Sequence, residues 1–137
     1  MLQILVDTNV LLDVLQRDPV WFDWSASQMA LGEQSARLCT NAIIYAELCQ
    51  RYATRIQVDK VVKKMRLHWL DLDRDSLYLA SQAYGIYRQR GGQKANVLAD
   101  FFIGAQAMQL QCSLLTRDTS RYRSYFPQVV VLCPSVN

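Results

Sequence analysis

Short apolar runs alternating with helical segments constrain this chain more than any other feature. LQILV at 2–6 reads as a strand, and the TNVLLDVLQR that follows carries Val10, Leu11, Val14 and Leu15 on one helical face. A second helix is expected over 20–36, a brief strand at 37–40, and a helix at 42–52 capped by Thr40 or Asn41. An amphipathic helix at 55–67 leads to a strand at 68–70, and Asp73 then caps a long helix over 74–90. The segment RQRGGQKAN at 88–96 is a loop, broken by Gly91-Gly92 and flanked by cations. A buried helix at 98–111, a strand at 113–115, a turn-helix at 119–125 and a strand at 129–132, bracketed by Pro127 and Pro134, complete the order. Five short strands separated by helices fit a parallel sheet covered on both faces, a three-layer α/β/α arrangement in one domain over 1–137.

Ligands in such sheets sit beyond the carboxyl ends of the strands, where strand order reverses. Four acids fall where they can reach that crevice. Asp7 ends the first strand, and Asp118 follows the fourth. Asp100 opens the helix feeding that fourth strand, and Glu47 lies in the helix after the second. Each has a plainer reading. Asp7 can cap the first helix, although Thr8 or Asn9 can do the same, and Asp118 before Thr119-Ser120 can form a turn. Glu47 alone is an ordinary helical glutamate. Asp100 resists such an explanation most, because Val97 through Ala105 is apolar around it. Its stripe includes Ile103, Gly104 and Ala107, small enough at two positions for close approach of another backbone. Asp13, on the more polar side of the first helix, is expected in solvent.

Charge repulsion turns the quartet into a chemical argument. Two carboxylates ~5 Å apart at an effective dielectric of ~20 repel by roughly 3 kcal/mol, so six pairs cost on the order of 10–20 kcal/mol. That rivals the whole stability of a domain. Either some carboxyls stay protonated or a divalent cation joins them. Hard oxygen donors without His or thiolate select Mg²⁺ or Mn²⁺, which can activate water and stabilise charge on a phosphoryl oxygen. No other nucleophile is evident: the lone His68 reads as structural, and there is no nucleophilic serine motif. Thr116, two residues before Asp118, places a hydroxyl in the same crevice.

Other carboxylate and phosphate sites fit less well. A haloacid-dehalogenase-type phosphatase needs a second Asp two residues after the first, where this chain has Asn9. A receiver domain needs adjacent acids and a late lysine, and Gly-rich phosphate loops are absent. Fifteen Lys and Arg face twelve acids; with the quartet neutralised, eight acids remain and the balance becomes +7, which suits a polyanion. Cys39, Cys49, Cys112 and Cys133 form no CxxC and read as small buried hydrophobes. No apolar stretch reaches the ~18 residues that span a bilayer, and LQILV is too short for a signal peptide, so the expected location is the cytoplasm.

The segments VDTNVLLDVL, TNAIIYAEL, LADFFIGAQA and LLTRDTSRYRSYFPQVVVLCP resemble the motifs of PIN-domain nucleases, specifically VapC-type toxins of bacterial toxin–antitoxin pairs. The likeness runs from the first strand to the last. By that resemblance Asp7, Glu47, Asp100 and Asp118 take the family's acidic positions, with Asp7 and Asp100 foremost as metal ligands, and Thr116 matches its hydroxyl residue. The resemblance implies a Mg²⁺-dependent (or Mn²⁺-dependent) endoribonuclease that forms homodimers and is held inactive by a small cognate antitoxin. Arg17, Arg88, Arg90, Lys94, Arg117, Arg121 and Arg123 are then candidates for RNA-backbone contacts, led by Arg117 and Arg121 beside Asp118. Trp21, Phe22 and Trp24 can serve a dimer patch or stack on bases, with core packing the plainer reading. Three rival readings use the same residues: a nuclease of RNA or DNA processing without toxicity, a non-catalytic binding module, and a receiver-like phosphoacceptor.

Overall fold

The computed structural model describes residues 2–94 and 97–135. Its elements follow the expected alternation: β1 (Leu2–Val6), α1 (Thr8–Leu15), α2 (Phe22–Ser35), β2 (Ala36–Thr40), α3 (Ala42–Cys49), α4 (Arg55–Lys64), β3 (His68–Trp69), α5 (Arg74–Gln89), α6 (Leu98–Leu110), β4 (Ser113–Leu115), α7 (Ser120–Tyr125) and β5 (Val131–Leu132). All strands are parallel, in the order β3-β2-β1-β4-β5. The two edge strands are shorter than expected, two residues each. An edge strand pairs on one side only, so fewer of its residues are held in the ladder. Residues 95 and 96 of the 88–96 loop lie outside the described residues.

The central strands are buried on both faces. Leu5, Val6, Cys39, Leu114 and Leu115 are fully enclosed, as the near-continuous apolar runs of a helix-covered parallel sheet require. The chain runs from β1 to β2 to β3 in one direction along the sheet, then back to β4 and β5 in the other, and connections between parallel strands are right-handed as a rule. That puts α1–α4 on one face and α5–α7 on the opposite face. The helices pair as α1 with α2 and α3, α3 with α4, α5 with α6, and α6 with α7, while α3 also meets α6. Strand order reverses at β1, which has β2 on one side and β4 on the other.

Local chemistry fixes where each element starts. Asn41, not Thr40, caps α3 by accepting a hydrogen bond from the Ile44 N–H (2.9 Å). Thr54 and Gln57 form a reciprocal capping box on α4, and Asp73 caps α5 through the Ser76 N–H (2.8 Å). Gly104 admits the Phe126 ring against α6: a Cβ there would lie 2.4 Å from a ring carbon. This close approach brings α7, which ends beside Phe126, onto α6. Cys39 and Cys112 are buried, Cys49 and Cys133 half-buried, and all four are free thiols. His68 is exposed on the edge strand, and among the described residues no helix is long and apolar enough to cross a membrane.

Candidate active site

Pairing of β1 with β4 continues past the strand ends. The Asp7 N–H donates to the Leu115 carbonyl (2.9 Å), which sets Asp7 next to Thr116 at the carboxyl edge of the sheet. Asp7 is 5% exposed and is indeed the N-cap of α1: one oxygen accepts from the Thr8 N–H (2.8 Å). Capping leaves its other oxygen free for the site. That oxygen accepts from the Thr116 hydroxyl (2.8 Å), from the Tyr122 hydroxyl (2.9 Å) and, at 3.5 Å, from the Asn9 amide.

The remaining acids reach Asp7 through short bridges. Glu47, projecting from α3, accepts from the Thr8 hydroxyl (2.7 Å), so Thr8 links it to the start of α1. Asp100, in the first turn of α6, faces the same Tyr122 hydroxyl (3.5 Å) and forms a 2.6 Å ion pair with the Arg121 Nε. Asp118 is the outlier, with a side chain 55% exposed that closes a turn onto Ser120 and reaches the Arg121 guanidinium at 3.5 Å. A buried amide pair ties the two more distant helices together. Asn41 Nδ2 donates to Gln106 Oε1 (2.7 Å), and Gln106 Nε2 donates to the carbonyls of Leu70 (3.3 Å) and Asp71 (3.1 Å). Both side chains are fully buried, so α3, bearing Glu47, and α6, bearing Asp100, are held in one register.

Electrostatics mark Asp7 and Asp100 as the strained members. Burial pushes the Asp7 carboxyl up to about 6, with Asp100 adding repulsion and the Thr116 and Tyr122 hydroxyls pulling the other way. Asp100 is also raised, chiefly by burial, against the lowering effect of Arg121. Burial, then the charges of Asp7 and Asp100, pushes the Tyr122 phenol far above its ordinary value, so it remains a proton-bearing donor to both.

The donor chemistry suits a hard divalent cation. The acids and hydroxyls offer oxygen alone, and among the described residues the hydrogen bonds to Asp7 come from uncharged donors, which leaves its buried charge uncompensated. As placed, no three acidic side chains among the described residues stand close enough to hold one ion together. The four acids therefore meet at one edge of the sheet as a chain of contacts, and Arg121 occupies the link between Asp100 and Asp118.

Two expectations about charge need correction. Asp13 is not solvated: it is 3% exposed beneath α2, where it accepts from Ser25 Oγ (2.7 Å) and from Arg117 Nε and Nη2 (2.7 and 3.0 Å). The spacing of α1 shows a polar position but not the second helix that covers it. Arg117 is thus committed to Asp13, and it also stacks over the Trp21 ring (5.1 Å). Its N–H donates to Asn9 Oδ1 (3.2 Å), which pins the β4–α7 turn to α1. Arg17 is exposed and lies over Phe22 (5.4 Å), while Trp21 and Trp24 meet edge to face, half-buried. Sequence reasoning weighed Thr8, Asn9 and Asn41 only as helix caps, and it missed Tyr122 and Gln106. Of these only Tyr122 carried a cue, as an apolar-phase residue in a helix already placed next to Asp118.

A family model described as PIN domain matches residues 4–126. The chain belongs to the PIN-domain family. Solved structures of similar fold include VapBC2 from Rickettsia felis bound to a DNA fragment from their promoter (TM-score 0.75, 16% identity, covering 98% of this chain and 100% of that one). VapBC from Salmonella typhimurium, also bound to DNA, gives a TM-score of 0.72 at 19% identity, with 97% and 98% of the two chains covered. FitAcB from Neisseria gonorrhoeae gives 0.59 at 24% identity, with 93% and 95% covered. Among curated proteins no sequence matches. The PIN-domain match spans β1 through Phe126, so Asp7, Glu47, Asp100, Thr116, Asp118 and Tyr122 all lie inside it.

Proposed function

We propose that this PIN-domain protein is a Mg²⁺- or Mn²⁺-dependent endoribonuclease, the toxin of a toxin–antitoxin pair, with the whole chain forming one nuclease domain. One observation carries the catalytic reading. Asp7 is a buried carboxylate held by uncharged donors at the strand-order reversal, with Asp100 sharing its Tyr122 hydroxyl. Asp7 and Asp100 would hold the divalent ion, with Asp118 and Glu47 completing the oxygen set. When bound, such an ion lowers the pKa of water and stabilises charge on the phosphoryl oxygens. Thr116 and Tyr122 hold Asp7 and Thr8 holds Glu47 by hydrogen bonds, and in the proposed reaction Glu47 would accept a proton from the attacking water. Water attacks phosphorus, the P–O bond to the leaving ribose oxygen breaks, and that oxygen takes up a proton.

The toxin role rests on the fold shared with toxin–antitoxin complexes, one of which, VapBC-5 from Mycobacterium tuberculosis, is described as a member of such a family. Accordingly we propose a cognate antitoxin, a homodimeric assembly and a cytoplasmic location. Arg17 is free to meet the RNA backbone, whereas Arg117 and Arg121 can do so only by exchanging Asp13 and Asp100 for phosphate. The test is incubation of the purified chain with cellular RNA in Mg²⁺ or Mn²⁺, followed by mapping of the new ends. Defined cuts that vanish in Asp7→Asn and Asp100→Asn, with circular dichroism unchanged, support the proposal. Intact RNA in both metals, or cuts that persist in both variants, refutes it. Growth arrest on expression, relieved by a small adjacent reading frame, separates a toxin from a processing nuclease.

A further inference from the structure

The acidic edge of the sheet already contains a cation. Arg121 donates from Nε to Asp100 Oδ2 at 2.6 Å and places Nη2 3.5 Å from Asp118 Oδ2, bridging the first turn of α6 to the turn before α7. Its side chain is 22% exposed, so the guanidinium is largely withdrawn from solvent into the acidic edge. Among the described residues no cation pairs with Asp7, which lies across Tyr122 and accepts from hydroxyls, the Thr8 N–H and the Asn9 amide. Arg121 meets Asp100 Oδ2 and Tyr122 meets Oδ1, so both Asp100 oxygens are taken while Arg121 is in place. In that arrangement no three acids among the described residues can share an ion.

We propose that Arg121 is the resident counter-cation of this site and that a divalent ion loads by displacing it from Asp100 and Asp118. The inference rests on the reading that the acids bind such an ion. The exchange needs only side-chain rotation. The next residue, Tyr122, is 2% exposed and packed in the core, so the α7 backbone stays anchored while the Arg121 arm swings out. Displacement frees a planar guanidinium beside the acids, where a phosphate approaching the ion would meet it in bidentate geometry. Arg121 is therefore a residue that sets the affinity for metal by competing for the same carboxylate oxygens, rather than a ligand-supporting residue whose loss would weaken binding.

The two roles give opposite signs, so one titration separates them. Chelator-stripped full chain is titrated with Mn²⁺ by calorimetry, as wild type, Arg121→Gln and Arg123→Gln. Arg123 is the control: it is exposed on the same helix, donates to Cys133 Sγ (3.3 Å) and carries the same charge. Arg121→Gln should tighten Mn²⁺ binding by about ten-fold or more, equivalent to about 1.4 kcal/mol. Arg123→Gln, which changes only the general field, should change it by about two-fold or less. Equal or weaker binding in Arg121→Gln, while wild type binds, overturns the displacement but leaves the metal reading intact. Absence of Mn²⁺ binding in all three proteins overturns both. A second measurement uses wild type alone, in case Arg121→Gln misfolds. The Arg121 Nε–H resonance should move and broaden on addition of Mg²⁺, with the same midpoint as metal binding. A resonance that stays fixed while Mg²⁺ binds overturns the proposal.

Discussion

Removing Arg117 should damage this fold more than removing its partner Asp13, although both changes break the same ion pair. The asymmetry follows from burial. Asp13 is 3% exposed, while the Arg117 side chain is 27% exposed at the rim. Arg117→Met leaves a carboxylate under α2 with Ser25 Oγ as its remaining donor, and a buried charge stripped of its counter-ion costs about 3–5 kcal/mol. Asp13→Asn keeps the acceptor for Ser25 and leaves a guanidinium that can turn to water, so about 1–2 kcal/mol is expected. In the double variant no buried charge is stranded, and its cost should fall below that of Arg117→Met alone. The resulting coupling energy is then at least about 1 kcal/mol. Urea unfolding at pH 7, followed by circular dichroism with m held common, measures all four corners. Against a total of roughly 5–15 kcal/mol, a 3 kcal/mol loss moves the midpoint visibly. An Arg117→Met cost below about 1 kcal/mol, or one no larger than that of Asp13→Asn, would refute the reasoning. The pair would then be a surface contact.

Other consequences are as direct. Asp7 has a folded pKa of about 6 against an ordinary 3.8, so the folded chain holds the proton longer than the unfolded one. Stability from this group is full below about pH 4 and is lost as pH rises to 6, a loss of about 3 kcal/mol. In chelator, Asp7→Asn should therefore be more stable than wild type at pH 8 and flatten the pH dependence between 4 and 6. A variant less stable at pH 8 would contradict this. Gly104→Ala forces a Cβ to 2.4 Å from the Phe126 ring and should cost about 1–3 kcal/mol in thermal or urea unfolding; a neutral result would mean that the ring has room to retreat. Tyr122→Phe removes the hydroxyl shared by Asp7 and Asp100. It should raise the Asp7 pKa further and shift the rising limb of the RNA-cleavage profile to higher pH, and an unchanged profile would show that the bond has no electrostatic role.

The parts legible from sequence were those set by apolar period and by capping. Helix starts lie directly behind β1 and β2, and the helix that Asp100 opens feeds β4, so the placing of Asp7, Glu47 and Asp100 near one sheet edge followed from chain order. Asp118 was placed equally well, yet the turn it forms onto Ser120 leaves it half in solvent. What sequence could not supply was the pairing of charges. Arg117 and Arg121 looked like free cations beside an acid, and only the covering of α1 by α2 and of α6 by α7 decides that they face Asp13 and Asp100. The same holds for Asn41 and Gln106, 65 residues apart, whose buried hydrogen bond leaves no local signature. Strand ends were missed at β3 and β5 because two-residue edge strands are defined by their single neighbour, not by composition.

The central claim is that side chains from four segments hold one hard dication at the carboxyl edge of this sheet. Crystals of the metal-free protein soaked in Mn²⁺ and measured at the manganese absorption edge test it without reference to activity. The account predicts an anomalous peak ligated directly by Asp7 and Asp100, with Arg121 turned away from Asp100. A fully occupied soak with no peak between those two carboxylates, or with manganese held only at surface acids elsewhere, would contradict it.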